Sequence, residues 1–150
     1  MAKPVATNKK AYHNYFLSSQ WECGIVLTGG EVKSIRAGEV NFADSFARFE
    51  KGELFLYNLH INPYMAASYM NDAPDRVRKL LLNKRELVKV QAMMQEKSLA
   101  LVPTKLYFNK RGLVKVEVAL GKGKKIYDKR EDIKKRDIKR DIQRSLRVRR

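Results

Sequence analysis

The sequence predicts a mainly β body with a few short helices, followed by a separate basic tail. Three observations carry this reading. Val114, Val116, Val118 and Leu120 alternate with Lys115, Glu117 and Ala119, the pattern of a strand with one face buried. Three further stretches, Trp21–Leu27, 42–49 and 53–61, are rich in aromatic and aliphatic strand formers. The charge then changes character at Gly121. Residues 121–150 hold fourteen Lys/Arg against five Asp/Glu, which is +9 of the formal +16. The body is therefore set at 1–120 and the tail at 121–150.

A chain of 150 residues with 44% hydrophobic content makes one domain with a real core. A pI near 10.1 calls for a polyanionic partner. Nucleic acid comes first and an anionic membrane surface second. No apolar run approaches the ~20 residues of a spanning helix, and no apolar stretch follows Met1 as in a secretory signal. A cytoplasmic protein with no membrane role is expected. Cys23 has no partner for an internal disulfide, and its apolar setting makes it a small core residue.

The first ten residues are polar and read as a loosely held terminus. Asn8-Lys9-Lys10-Ala11-Tyr12-His13-Asn14-Tyr15-Phe16 then runs from cations into aromatics. On a short helix or sheet edge this stretch either faces RNA, or sends Tyr15 and Phe16 to the core while the lysines stay wet. After the Trp21–Leu27 strand, Thr28 and Glu31 have capping-box spacing. A short helix follows, with Val32 and Ile35 on one face, Lys33 and Arg36 on a wet one, and Gly38 as its stop.

The runs 42–49 and 53–61 flank Lys51-Gly52, and Pro63 ends the second. Residues 64–79 read as a loop, either a mobile basic one carrying Arg76, Arg78 and Lys79 or a solvated connection. Asn83 and Glu86 repeat the capping-box spacing before a helix to about Lys97. Its buried stripe is Leu87, Val90 and Met94. Residues 104–120 form a hairpin turning at Asn109-Lys110-Arg111-Gly112.

In the tail, Gly121 and Gly123 loosen the backbone and Tyr127 stands among cations. Cations for phosphate and a ring for a base suit RNA, and a solvated linker is the plainer alternative. Beyond it, Ile133, Ile138, Ile142 and Leu146 give a thin apolar stripe. A helix this polar is marginal alone and is expected to fold on a partner. No catalytic residue, metal site or cofactor is expected. There is no phosphate-binding glycine loop and no H-E-x-x-H, and Asp128 and Asp132 are surrounded by lysines.

Several ordered stretches resemble one family: Asn8-Lys9-Lys10-Ala11, Gly24-Ile25-Val26-Leu27-Thr28-Gly29, Glu31-Val32-Lys33-Ser34-Ile35-Arg36-Ala37-Gly38, Arg78-Lys79-Leu80-Leu81-Leu82, and Lys122-Gly123-Lys124-Lys125-Ile126-Tyr127-Asp128-Lys129-Arg130. Together they resemble the bacterial SsrA-binding proteins (small protein B) from end to end. The resemblance implies an antiparallel barrel related to the oligonucleotide-binding fold, with flanking helices. It implies a non-enzymatic protein that binds the tRNA-like domain of transfer-messenger RNA. The protein would bring that RNA to stalled ribosomes and so start trans-translation. The family's RNA-contacting positions fall on Asn8, His13, Glu22, Leu81 and Lys115.

The resemblance also implies a tail helix in the empty mRNA channel of the small subunit. Its junction motif falls on Gly123, Tyr127, Asp128, Lys129 and Arg130, and Lys134, Lys135, Arg136, Lys139 and Arg140 would meet ribosomal RNA. Contact with elongation factor Tu through the complex is left open. Tyr127 replaces the histidine of some relatives, and Ser18-Ser19 the acidic residues often found there. A basic ribosomal or rRNA-binding structural protein is the alternative, and an RNA-processing enzyme on a barrel the other. Which RNA copurifies with the protein, and whether labelled RNA turns over, separates the three.

Overall fold

The structure, a computed structural model, describes residues 4–63, 73–97, 99–124 and 140. Nine strands and three helices follow in chain order among these residues: β1 Pro4–Thr7, α1 Lys9–Asn14, β2 Tyr15–Ile25, α2 Gly29–Arg36, β3 Val40–Asn41, β4 Phe46–Glu50, β5 Glu53–Tyr57, β6 His60–Ile61, β7 Arg78–Leu81, α3 Lys84–Lys97, β8 Ala100–Phe108 and β9 Val114–Gly123. The main sheet runs β1-β8-β4-β5-β7-β2-β9, and β9 pairs back onto β8. β4 takes the start of β8 at Leu101, and β1 takes its far end at Lys105–Tyr107. Six strands thus close an antiparallel barrel, with β1 added alongside. The barrel expected from the resemblance is the observed architecture, and closure leaves its six strands without a free edge along the ring.

Strand parity fills the barrel. Cys23 faces Val116, and Val116 faces Leu106 across the next pair. All three are buried, as are Leu54, Leu56 and Leu80 on the other side of the ring. Burial, then the nearby Glu86 carboxylate, push the Cys23 thiol up to about 12, so it is an inert core residue. α3 packs Val90 fully against this core, with Leu87, Met93 and Met94 partly buried beside it. Asn83 Oδ1 accepts from the Glu86 N–H at 2.9 Å to cap α3. The capping box at α2 is complete in both directions, and Gly38 follows it at φ +79°.

Several expectations need correction. Residues 4–7 are not loose: β1 pairs with β8, and Val5 and Ala6 pack on the core. Ala11 is the residue α1 buries; Tyr15 is half-buried and Phe16 exposed. The strand expected at Trp21 begins six residues earlier, at Tyr15. The run 53–61 breaks at Asn58, whose φ of +63° turns the chain between β5 and β6. The run 42–49 yields a strand only from Phe46.

β8 starts at Ala100 and passes through Pro103, where a bulge absorbs the missing N–H. Gly121 does not loosen the backbone. It lies inside β9 opposite Leu17, and a Cβ there would stand 2.9 Å from Tyr15 Cβ. Close approach, not freedom, is what this glycine supplies. β9 continues to Gly123, and the Lys124 N–H donates to Asn14 O at 2.9 Å. The folded body therefore runs past residue 120.

Candidate nucleic-acid interface

Three of the five expected body contacts meet on the outside of the barrel. Across β7, β2 and β9, Leu81 faces Gly24 and Gly24 faces Lys115. Directly opposed residues of antiparallel strands share a face, and this rung continues to Tyr107 on β8. Its inward neighbours are Leu80, Cys23, Val116 and Leu106, so the rung points outward. Leu81 is 49% exposed. The missing side chain at Gly24 leaves a shallow trough between Leu81 and Lys115; a Cβ there would lie 3.3 Å from Leu81 Cβ. Glu22 stands on the next outward rung, opposite Glu117.

The surroundings decide what this face offers. Glu117 is taken up by the Thr104 hydroxyl, which donates to its carboxylate at 2.6 Å. The Tyr107 hydroxyl donates to Glu22 Oε2 from across β9. Among the described residues no Lys or Arg pairs with Glu22. The face thus presents a cation, an apolar contact and an acceptor with no cation partner among the described residues, around a trough. Phosphate, an unstacked base and a base-edge or ribose donor are the groups that match these three. Gly24 and Tyr107 were missed in the sequence. The signal was available: a hairpin turning at Asn109–Gly112 places Tyr107 opposite Lys115.

Asn8 and His13 lie elsewhere. Asn8 is buried, and both ends of its side chain are engaged: Nδ2 donates to Pro103 O at 2.7 Å, and Oδ1 accepts from the Ala11 N–H. With its own N–H on Thr104 O at 2.7 Å, Asn8 satisfies the carbonyls of the β8 bulge and caps α1. His13 is half-buried on that helix, with Nδ1 3.1 Å from Asn14 Oδ1. Beside α1, Lys124 Nζ sits 4.9 Å from the ring centroid of exposed Phe16 and donates to Tyr12 O at 3.3 Å.

The loop reading of 64–79 needs correction at 73–79, while residues 64–72 lie outside the described residues. Arg78 is fully buried in β7. Its Nε donates to Glu31 Oε2 at 2.7 Å, Nη1 to Leu59 O and Arg76 O, and Nη2 to Pro74 O, with Glu31 Oε2 also 2.5 Å away. Five contacts match the five N–H groups of a guanidinium. Arg76 donates to both Glu31 oxygens, and the Thr28 N–H to Oε1. Burial pushes the Glu31 carboxyl up, but the bonds from Arg76, the Thr28 N–H and Arg78 outweigh it and hold it below its ordinary value. Lys79 points outward to Glu53 at 3.0 Å. These cations serve the fold: α2, the 73–78 segment and β7 are fastened to one carboxylate.

Of the tail residues, Tyr127, Asp128, Lys129, Arg130, Lys134, Lys135, Arg136 and Lys139 lie outside the described residues; Arg140 is exposed. Among the described residues no helix is long and apolar enough to cross a membrane, and no group of three or more His, Cys, Asp or Glu could hold a metal ion.

Comparison with known proteins gives a consistent set. The family described as "SmpB protein" matches residues 5–148. The chain is 54% identical over 149 residues to the SsrA-binding protein of Carboxydothermus hydrogenoformans, covering 99% of each chain. It is 54% identical to that of Geotalea uraniireducens, over 98% of this chain and 97% of the other. For Bacillus velezensis the identity is 53%, over 98% and 94%. A solved structure, "tmRNA-SmpB: a journey to the center of the bacterial ribosome", aligns with a TM-score of 0.71 at 50% identity, over 87% of this chain and 95% of that one.

Proposed function

The chain belongs to the SmpB protein family, and from that premise we propose that it binds the tRNA-like domain of transfer-messenger RNA and delivers it to stalled ribosomes for trans-translation. The observation that carries the binding half is the outward rung Leu81–Gly24–Lys115 with Glu22 beside it. Lys115 meets a phosphate, Leu81 packs on an exposed base face, and Glu22 accepts from a base or ribose donor. Asn8 acts by seating α1, since its side chain is spent on the fold, and α1 presents His13. No step in this role makes or breaks a covalent bond.

The delivery half falls to the tail, the basic residues beyond β9. Residues 131–147 contain good helix formers but too thin an apolar stripe to be stable alone. An rRNA-lined channel supplies what is missing, by neutralising Lys134, Lys135, Arg136, Lys139 and Arg140. Gly123 and the run Tyr127-Asp128-Lys129-Arg130 set the tail's entry to the decoding site. A proline inside a helix costs about 3 kcal/mol, more than a marginal helix has to spare. Ile138→Pro is therefore expected to bind transfer-messenger RNA normally and to fail in peptide tagging on stalled ribosomes. Tagging at the normal level would remove the helix from the proposal.

A further inference from the structure

Glu22 is an odd residue for an RNA face on a chain of charge +16. A carboxylate beside phosphates is repelled unless it is offered a specific donor. Four carboxylates of the described residues are matched by cations: Glu31 by Arg76 and Arg78, Glu50 by Arg48, Glu53 by Lys79, Asp44 by Lys10. Glu22 is held instead by the hydroxyl of Tyr107, a neutral donor on a strand one removed from its own. The difference has a chemical consequence. A guanidinium would occupy both oxygens and cancel the charge. A single phenol O–H occupies Oε2 and leaves Oε1 and the full charge for a ligand.

Resting on the reading that Glu22 contacts the RNA, we propose that Tyr107 is a positioning residue of this interface: its hydroxyl fixes the Glu22 carboxylate so that the free oxygen accepts a hydrogen bond from the RNA. Burial, then the hydrogen bond to Glu22, push the Tyr107 hydroxyl above its ordinary range, so it remains a donor at any physiological pH. Tyr107 pairs with Lys115 and Glu22 with Glu117, so this bond spans β9 and ties the carboxylate to the rung that holds Gly24. The acceptor's partner is a base N–H or a ribose 2′-hydroxyl, since a phosphate has no proton to give.

The test uses the full chain and the tRNA-like domain as probe, with Glu22→Gln, Tyr107→Phe and the double variant. Removing one contact with an RNA donor is expected to weaken binding about tenfold for Glu22→Gln, and Tyr107→Phe roughly threefold. The double variant is expected to bind no worse than Glu22→Gln alone, because the hydroxyl acts only through that carboxylate. Thermal unfolding and the salt dependence of binding are expected to be unchanged in Tyr107→Phe, which a collapsed face would not allow. Losses that multiply in the double variant mean that Tyr107 touches the RNA itself, and overturn the proposal. A silent Tyr107→Phe beside a weakened Glu22→Gln overturns it too, while leaving the reading of the face intact. A silent Glu22→Gln removes the premise, and with it the proposal.

Discussion

Strand β7 inverts the usual sorting of residues within four positions. Arg78 is wholly buried, whereas Leu81, three residues on, is half exposed. A strand turns successive side chains to opposite faces, so Arg78 and Leu80 point into the barrel and Lys79 and Leu81 out. The inward arginine is tolerated because all its donors find acceptors and Glu31 matches its charge. The outward leucine costs the fold little and is available to a ligand. The lesson concerns charge on a basic protein: a cation's position in sequence does not say whether it binds RNA. Arg76 and Arg78 tie the barrel together, while Lys115, in the middle of a regular strand, lies on the outward rung with Leu81.

The comparison breaks most visibly at its inward end. Glu31→Gln leaves Arg78 buried without its counter-charge, and removal of one partner of a buried pair costs about 3–5 kcal/mol. Denaturant unfolding is the measurement, and a loss under about 1 kcal/mol would mean that the knot is not what holds β7. Because the Glu31 carboxyl is held below its ordinary value in the folded state, its contribution is present above the unfolded carboxyl pKa. It fades as pH falls through the lower, folded one. The wild type is thus expected to lose stability on acidification and Glu31→Gln to lose less.

Leu81→Ala probes the outward end. An exposed leucine contributes little to folding, so unfolding is expected to move by less than about 0.5 kcal/mol. Binding to the tRNA-like domain is expected to weaken by about 1 kcal/mol or more, the size of a central interface contact. The reverse pattern would place Leu81 with Arg78 as a structural residue.

Lys115→Ala gives the smallest and most specific effect. If Lys115 neutralises one phosphate, the slope of log K against log salt falls by about one unit. An unchanged slope assigns Lys115 to the sheet surface alone.

Much of this was legible in the sequence, for physical reasons that also mark its limits. Strict alternation in Val114–Leu120 and the two Asn/Thr caps are local signals, and the hairpin, α2 and α3 formed where those signals lay. A left-handed turn at Asn58 was a local miss, and the larger misses were tertiary. Arg78 sits in a run of Arg, Lys and Asp that reads as solvated, and only Glu31, 47 positions away, turns it inward. Pro103 argues against a strand until Asn8 is seen to satisfy the bulge around it. Gly121 next to a basic run reads as a hinge, yet the Tyr15 side chain requires it. At the site, Glu22, Leu81 and Lys115 came from a resemblance; their meeting at Gly24 follows from register, which period-2 patterns leave open between distant strands.

The proposed division between a binding body and a delivering tail is tested most directly by cutting the chain just past the end of β9. A cut after Leu120 would strip Gly121–Gly123 from β2, so the cut belongs after Lys124, whose N–H closes onto Asn14. The measurement is the affinity of residues 1–124 for the tRNA-like domain of transfer-messenger RNA, beside the full chain at one salt concentration. Retention of most of the affinity by the shortened chain is the expected result. Loss of nearly all specific binding, with the barrel still folded, would contradict the assignment of recognition to the outer face of the barrel.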